Sequence, residues 1–308
     1  LPGSYRPISI SSYIGKLMEK IIAKRLQKYL QHRLIYDPDQ EGFTIGRNTI
    51  RYLNRLHLGI KADLEKKLSI LCLFIDFEKA FDSVWKKGLI YKLSNIGVKG
   101  NILMMIDNFL FSRNVSLNVN GVRGSKRACL DYGLPQGSAL SPILFKIYLL
   151  DLADEIINNP DVQVYKFADD GTIKVHAHTT ENCLTTMEEV LGCLKEWTEK
   201  WRMIINCQPN KTEMMCFGRA EGKNFIIPNS FKLGDKEVKL VTHTKVLGLI
   251  IDESLSYKQQ EHSHSVYNKI LGRWATMCKY SNKHWGLCQR VMVQLMKTIF
   301  ISCTAIQD

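Results

Sequence analysis

The chain has 308 residues, of which 45% are hydrophobic and 23% are charged, and its formal net charge is +12 with a pI near 9.2. This length allows one large core or two to three subdomains packed on one another. The basic surplus favours phosphate-rich or other anionic partners, with a merely well-solvated basic surface as the alternative. No stretch reaches the ~18 apolar residues of a membrane span, so no membrane partner is expected.

The nine cysteines argue against a disulfide framework, because their number is odd and no CxxC pair occurs. Reduced thiols and the lack of a secretory signal predict an intracellular protein of the nucleus or cytoplasm. The sequence opens at Leu1, inside what reads as a turn and without an initiator methionine. We therefore expect the chain to be a fragment of a longer polyprotein.

The first predicted element is an amphipathic helix over residues 12–30. Its apolar residues follow the 3–4 spacing of one buried face and are Ile14, Leu17, Met18, Ile21, Ile22, Leu26, Tyr29 and Leu30. Lysines recur every fourth residue at Lys16, Lys20, Lys24 and Lys28 and form a stripe along another side. This stripe is either a solvated face or a contact surface for nucleic acid, and the scarcity of acids nearby favours the second.

A continuous apolar run over residues 69–77 predicts a strand that ends at Asp76 and Phe77. A helix is predicted next, over residues 81–95, with Gly97 as its stop. The pair Ser141 and Pro142 predicts a further helix start, with the serine as N-cap and the helix continuing to residue 152.

The remaining pattern predicts a hairpin, a helix and isolated strands. Residues 162–177 read as strand, turn, strand, with Asp170 and Gly171 at the turn. A helix is predicted over residues 181–201, and single strands over 213–217 and 245–251. The tail over residues 263–303 is predicted to be helical and basic.

Asp76 at the end of an apolar strand and Asp169-Asp170 near a hairpin tip are the candidate chemical groups. Ionised carboxylates in apolar surroundings are costly unless a cation compensates them. Three converging carboxylates suit a pair of Mg²⁺ ions, which prefer oxygen ligands and together support phosphoryl transfer. The alternative is that Asp169-Asp170-Gly171 is only a turn, since Asp-Gly favours turns.

Several segments, in order along the chain, resemble the conserved motifs of reverse transcriptases. The segment Phe167-Ala168-Asp169-Asp170 resembles the FADD motif, and residues 74–84 (FIDFEKAFDSV) resemble the first catalytic motif. Residues 133–138 (GLPQGS) are similar to the substrate-binding motif, and residues 5–9 (YRPIS) and 40–47 (QEGFTIGR) to the fingers motifs. Asn206 with residues 211–213 (KTE), and residues 245–248 (KVLG), resemble two later palm motifs. The resemblance extends from Tyr5 to about His262 and is greatest to LINE-type, jockey-like non-LTR retrotransposon enzymes.

The resemblance implies an α+β right-hand polymerase fold with fingers, a palm carrying an antiparallel sheet, and a partial thumb. Residues 1–60 would form the fingers, residues 61–245 the palm with interleaved fingers segments, and residues 246–308 the primer-grip strands and the start of the thumb. The implied activity is that of an RNA-directed DNA polymerase serving retrotransposition. Its partners would be an RNA template, a DNA primer and dNTPs, and its cofactors two Mg²⁺ ions, with Mn²⁺ as a substitute.

The resemblance also implies roles for individual residues. Asp76 and Asp169 would be the main metal ligands, with Asp170 closing the site. The expected nucleotide-binding residues are Arg6 on the triphosphate, the Phe77 carbonyl as an extra ligand, Phe81 as a steric gate against a 2′-hydroxyl, and Gln136 near the sugar. Lys211 would protonate the pyrophosphate leaving group. The expected nucleic-acid contacts are Lys16, Lys20, Lys24, Arg47 and Gly248.

Ordinary structural roles remain open for four of these residues. They are a surface ion pair for Arg6, a core position for Phe81, a loop hydrogen bond for Gln136 and a solvated side chain for Lys211. Two rival functions also remain: an RNA-dependent RNA polymerase, against which Phe81 argues, and a decayed element that binds nucleic acid without catalysis. Salt-dependent RNA binding without dNTP incorporation would favour the decayed element. The oligomeric state is left open.

Overall fold

The computed structural model describes residues 7–35, 37–112, 114–116, 118–119, 121–124, 128–129, 132–156, 159–218 and 227–256, together with residues 271, 290–291 and 293–294. Arg6 therefore lies outside the described residues. So does almost all of the tail predicted to be helical, over residues 263–303.

Eight helices lie between residues 7 and 256 of the described ranges. They are α1 (Tyr13–His32), α2 (Thr49–Glu65), α3 (Ala80–Ser83), α4 (Lys86–Asn95), α5 (Gly100–Phe111), α6 (Ser141–Tyr148), α7 (Leu152–Ile156) and α8 (Thr180–Trp201). The predicted helix at residues 181–201 is confirmed as α8, which begins after the N-cap Thr179. Among the described helices, none combines the length and the apolar content needed to cross a membrane.

The strands form one large sheet and three small pairs. They are β1 (Ser69–Ile75), β2 (Asn114–Val115), β3 (Asn118–Val119), β4 (Val122–Arg123), β5 (Ala128–Cys129), β6 (Val162–Phe167), β7 (Asp170–Ala177), β8 (Glu213–Phe217), β9 (Ser230–Leu233), β10 (Lys236–Leu240), β11 (His243–Val246) and β12 (Leu249–Asp252). The large sheet has the order β6-β7-β1-β8-β10-β9, and all its neighbours are antiparallel except β8 and β10. The single strand predicted at residues 213–217 is confirmed as β8.

Strand β1 is buried along its whole length because helices cover both faces of the sheet. Leu71, Leu73 and Ile75 belong to the larger core cluster, which includes buried side chains of α8. The alternating residues Ile70, Cys72 and Phe74 belong to a second cluster, which includes buried side chains of α2. A strand covered on both faces reads as a continuous apolar run, as the sequence of β1 does.

The helix predicted over residues 81–95 is wrong in one respect, because it is broken between α3 and α4. Val84 has a non-helical backbone and Trp85 an extended one. Their peptide groups pair instead with the following loop: the Val84 carbonyl accepts from Gly133 N, and Trp85 forms a bridge with Tyr132. The break thus fixes the loop that leads to Gln136. The predicted stop at Gly97 is confirmed by its positive φ of 86°.

Two turn predictions also need correction. Ser141 is the first helical residue of α6 and not its N-cap, which is Leu140. The Ser141 hydroxyl donates to the Pro135 carbonyl instead of capping the helix. The helix ends at Tyr148, so residue 152 belongs to α7. In the hairpin, Asp170 pairs with Phe167, so the turn is formed by Ala168 and Asp169 and not by Asp170 and Gly171.

The single strand predicted over residues 245–251 is instead a hairpin. Strands β11 and β12 pair antiparallel around Leu247 and Gly248. Both turn residues have positive φ, 48° for Leu247 and 96° for Gly248. The left-handed backbone is unfavourable for leucine, so a leucine at this position does not indicate a turn.

The face of α1 that the sequence pattern assigns to the core is buried only in its second half. Ile22 and Leu26 are buried, whereas Ile14 is 83% exposed and Leu17 is 61% exposed. The prediction of burial is therefore wrong for the first two turns within the described residues. Of the predicted lysine stripe, Lys20, Lys24 and Lys28 are exposed, whereas Lys16 is half-buried.

Lys92 is a buried lysine that joins α4 to α8. Its ammonium bonds the Asp151 carboxylate at 2.5 Å and lies 3.7 Å from the centroid of the Trp201 ring. Burial lowers the pKa of Lys92 to about 8, although the attraction of Asp151 acts in the opposite direction.

Candidate active site

The sheet register brings two of the predicted carboxylates to neighbouring positions. The last pair between β1 and β7 joins Ile75 to Gly171. Asp76 follows the last residue of β1 and Asp170 precedes Gly171, so extending the antiparallel register by one residue sets Asp76 opposite Asp170. Asp169 precedes Asp170 in the hairpin turn, so all three carboxylates lie at one end of the sheet.

The chain after α8 forms a strap that holds Asp76 from the other side. Phe77 forms an antiparallel bridge with Ile205. Asn206 N donates to the Asp76 carbonyl at 2.8 Å, and Asn206 Nδ2 donates to Asp76 Oδ2 at 3.1 Å. The Thr212 hydroxyl accepts from Asp76 N at 3.2 Å. These bonds fix both the backbone and the carboxylate of Asp76.

Lys211 lies within ion-pair distance of the same carboxylate. Its Nζ is 3.5 Å from Asp76 Oδ2, and its side chain is 46% exposed. Lys211 follows Asn210, whose φ of 62° turns the chain back toward the strap. The lysine is therefore close to Asp76 and still open to solvent, as a group that meets a substrate must be.

The carboxylates suit a hard divalent cation that takes some of its ligands from the protein and the others from a substrate. Asn206 and Lys211 both contact Oδ2 of Asp76, and the other oxygen, Oδ1, makes no hydrogen bond within the described residues. Across the described ranges, no three histidine, cysteine, aspartate or glutamate side chains are gathered closely enough to hold a metal ion by themselves. Mg²⁺ typically takes one or two carboxylates together with water and substrate phosphates, so an open arrangement is compatible with it.

Gln136 makes the loop hydrogen bond that the sequence left open as an alternative. Its Nε2 donates to both carboxylate oxygens of Asp82, at 3.0 and 3.1 Å. Its backbone carbonyl accepts from Ser9 N at 2.8 Å. Gln136 thus joins α3 to the start of the described chain.

Phe81 and Phe77 occupy different environments. Phe81 is partly buried and stacks on Phe145, and Phe43 meets its ring edge-on with centroids 6.2 Å apart. The Phe77 side chain is 5% exposed and packs against Trp197. In the bridge to Ile205, the bonds are made by the residues flanking Phe77, so the Phe77 carbonyl points away from the strap.

The predicted nucleic-acid contacts fall in three places. Lys20 and Lys24 are exposed on α1, and Lys16 is half-buried. Gly248 lies in the β11–β12 turn. Arg47 uses Nη1 to bond the carbonyls of Pro38 and Gln40, at 2.7 and 3.0 Å, which gives it a local structural role.

Two residues of this site were missed as functional candidates by the sequence reasoning. Asn206 and Asp82 both lie in segments that resemble family motifs, and each bonds a predicted site residue. Their position in those segments was the signal. Their partners could not be read from it, because Asn206 is 130 residues from Asp76 and Asp82 is 54 residues from Gln136.

The sequence matches proteins of retrotransposons. It is 28% identical to the RNA-directed DNA polymerase from mobile element jockey of Drosophila funebris, over 87% of this chain and 29% of that protein. It is also 28% identical to the Pol polyprotein from type-1 retrotransposable element R1 of Bradysia coprophila, over 98% of this chain and 29% of that protein. The chain thus spans less than a third of the length of these relatives.

The fold resembles that of solved telomerase structures. Telomerase from Candida tropicalis in complex with a TWJ fragment of telomeric RNA superposes with a TM-score of 0.52 and 13% identity, over 93% of this chain and 47% of that one. The apo form gives a TM-score of 0.51 at 13% identity, over 76% of this chain and 39% of that one. This likeness concerns the fold alone, and it confirms the α+β polymerase class expected from the sequence.

The family model for reverse transcriptase (RNA-dependent DNA polymerase) matches residues 2–261. Those residues include the β1–β7 register that sets Asp76 opposite Asp170, and the strap that holds Asp76. Family match, fold and carboxylate arrangement agree, and the chain belongs to the reverse transcriptase family.

Proposed function

We propose that this chain is the polymerase part of a longer retrotransposon protein and extends a DNA primer on an RNA template. The observation that carries the proposal is the register of β1 and β7, which sets Asp76 opposite Asp170 beside the turn that bears Asp169. Reverse transcriptases use divalent metal ions, and we propose two Mg²⁺ here, held by these carboxylates, with the Phe77 carbonyl as an additional oxygen ligand. Mn²⁺ is the proposed substitute.

When bound, the metal ions would lower the cost of forming the attacking primer oxygen and of releasing pyrophosphate. The chain's own contribution is to position groups and to compensate charge. Asp76 is kept in place by Asn206 and Thr212. Lys211, at 3.5 Å from Asp76, is proposed to hold the proton that the leaving pyrophosphate receives.

The incoming nucleotide is proposed to be a dNTP that contacts residues from several segments. Arg6 would grip the triphosphate with its two-pronged guanidinium. Gln136 would lie near the sugar, oriented by its bonds to Asp82. Phe81, backed by Phe145, would exclude a 2′-hydroxyl.

The primer-template is proposed to lie against basic and turn residues of the chain. Lys20 and Lys24 are exposed and suited to phosphate contacts, and Lys16 and Gly248 remain proposed contacts. The contacts of Arg47 with two carbonyls support a structural role more than a template contact. The proposed subdivision is fingers at residues 1–60, palm at 61–245 and primer grip with thumb from 246, and we propose a nuclear or cytoplasmic location.

The test is primer extension on an RNA template by Asp76→Asn and Asp169→Asn. Each change removes a charged oxygen ligand, so extension should fall by several orders of magnitude. RNA binding should stay within about twofold, because it depends on lysine and arginine contacts with phosphates. Asp235→Asn, in the exposed turn between β9 and β10, is the control and should extend normally. Extension near the wild-type rate by either active-site variant would refute the assignment.

A further inference from the structure

We propose that Gln40 is a positioning residue for Asp169: its side-chain amide holds the peptide groups of Ala168 and thereby fixes the turn that presents the Asp169 carboxylate. This inference rests on the proposed role of Asp169 as a metal ligand. Gln40 lies in the segment between α1 and α2, 128 residues before Ala168.

The Gln40 side chain is fully buried and uses both ends of its amide on this turn. Its Oε1 accepts from Ala168 N at 2.7 Å and from Gly42 N at 2.8 Å. Its Nε2 donates to the Ala168 carbonyl at 3.3 Å. The hairpin ladder ends at the pair of Phe167 and Asp170, so the ladder provides no partner for Ala168. Gln40 therefore satisfies polar groups that would otherwise be buried without a hydrogen bond.

The turn needs such support because Ala168 has a left-handed backbone, with φ of 55°. This conformation is unfavourable for a residue with a Cβ and persists where the surroundings hold it. Asp169 is the next residue, so a rotation at Ala168 would move its carboxylate directly. A displacement of about 1 Å in a catalytic group can cost roughly 100-fold in rate.

The segment that carries Gln40 is itself held against the hairpin. Gln40 forms a parallel bridge with Lys166, and the flanking bonds are Glu41 N to the Lys166 carbonyl at 2.8 Å and Lys166 N to the Asp39 carbonyl at 2.9 Å. The buried Glu41 is paired with Arg55 of α2 at 2.8 Å. The segment that carries Gln40 is thus held in place by contacts with both the hairpin and α2.

Gly42 shows how closely the two segments approach. A Cβ on Gly42 would lie 2.2 Å from Ala168 N, which is too short for any contact between these atoms. Gly42 has no positive φ, so an alanine there would strain no backbone angle and would act by pushing on Ala168. Gly42→Ala therefore disturbs the same peptide as a change of Gln40 while retaining the Gln40 amide, whose Oε1 would lie 3.0 Å from the new Cβ.

The experiment measures single-turnover dNTP incorporation by the full 308-residue chain on a primed RNA template with Mg²⁺. Gln40→Met keeps the side-chain length and removes both hydrogen-bonding ends. Its maximal incorporation rate should fall roughly 10- to 100-fold, with the dNTP concentration at half-maximal rate and the RNA affinity within about twofold of wild type. Hydrogen–deuterium exchange, measured without nucleotide, should be faster at the Ala168 amide.

The matched control is Tyr52→Phe, which removes another buried hydrogen bond between the α2 side and the hairpin. The Tyr52 hydroxyl bonds Thr172 Oγ1 at 2.6 Å, four residues beyond Ala168. Assayed below the melting temperature of every variant, this control should keep a rate within about twofold of wild type. Gly42→Ala should behave like Gln40→Met, and it decides the question if Gln40→Met does not fold.

Rates for Gln40→Met and Gly42→Ala equal to that of Tyr52→Phe would overturn the inference and leave Gln40 a purely structural residue. Unchanged exchange at Ala168 in Gln40→Met would overturn it as well. Asp169→Asn in the same assay separates the two proposals. If that variant is active, the proposed function fails; if it is inactive while Gln40→Met is unimpaired, only the inference about Gln40 fails.

Discussion

The ring of Phe81 lies nearly parallel to the ring of Phe145, with centroids 4.6 Å apart and an interplanar angle of 16°. Phe145 is fully buried, whereas Phe81 is only partly buried. One face of Phe81 is therefore supported by the core, Phe43 meets the ring edge-on, and part of its surface stays accessible. This arrangement is compatible with both a steric gate and an ordinary core position, so a substitution must distinguish them.

Phe81→Val should raise rNTP incorporation relative to dNTP, because the smaller side chain opens space for a 2′-hydroxyl. If Phe81 is only a packing residue, the change should instead lower stability by roughly 1–3 kcal/mol with nucleotide preference unchanged. Single-turnover competition between dNTP and rNTP, beside a melting curve, measures both quantities. Phe217→Val, fully buried in the second core cluster, is the control for lost packing. A selectivity ratio equal to wild type would rule out the gate.

Lys211→Leu should slow the chemical step by roughly 10²- to 10⁴-fold, the usual contribution of a general acid. The expected effect is on the maximal incorporation rate at saturating dNTP, measured before steady state. Lys87→Leu, an exposed lysine of α4, controls for the loss of one positive charge. A change confined to the dNTP concentration at half-maximal rate would mean that Lys211 only assists binding.

Asn206→Leu should reduce primer extension by about tenfold or more, because it removes the hydrogen bond that holds Asp76 Oδ2. A hydrogen bond to a charged group contributes about 1.5–3 kcal/mol, and about 1.4 kcal/mol corresponds to a factor of ten. Extension rate and RNA affinity should be measured together. Asn182→Leu, exposed near the start of α8, provides the matched control. Equal extension by the two variants would contradict a role for Asn206 at Asp76.

Lys92 should make the free energy of unfolding rise with pH between about pH 8 and about pH 10.4. Its pKa is lowered to about 8 by burial, whereas an unfolded lysine has a pKa of about 10.4. In this window the unfolded chain binds the extra proton, so raising the pH favours the folded state by at most about 1.4 kcal/mol per unit. Urea unfolding at pH 8, 9 and 10 measures the slope.

Lys92→Met should flatten that slope, because the group whose protonation differs between the two states is removed. Lys87→Met, on the same helix and exposed, should keep the wild-type slope. The same pH dependence in wild type and Lys92→Met would show that other groups cause it.

The sequence predicted elements well where one local pattern decides the structure. The apolar run of β1, the amphipathic pattern of α8 and the hairpin of β6 and β7 are examples. The sequence pattern misplaced the ends of elements where contacts with a distant segment of the chain determine them. The break at Val84 arises because its carbonyl bonds Gly133, which lies 49 residues further along. The local pattern of apolar residues, which predicts a helix, gives no information about a hydrogen bond to a residue so far away.

Within the candidate site, the sequence indicated which residues belong to the site but not which hydrogen bonds they make. Family motifs pointed to Asp76, Asp169, Asp170 and Lys211, and the structure brings Asp76 close to Lys211 and sets it opposite Asp170. The amide of Gln40 could not be assigned to Ala168, because hydrogen bonds between residues far apart in sequence leave no periodic signal. The same limit applies to the order of strands in the sheet.

The position of β1 in the middle of the sheet has a consequence for synthesis on the ribosome. This strand is synthesised before both of its partners, which are residues 171–177 and residues 213–217. At about 5–20 residues per second, the first partner emerges roughly 5–20 s after β1 and the second some seconds later. During that interval a seven-residue apolar strand has both edges unpaired, which is a condition that favours aggregation and chaperone binding. The segment that holds Asp76 in place is also missing from the nascent chain until Asn206 and Thr212 have been added.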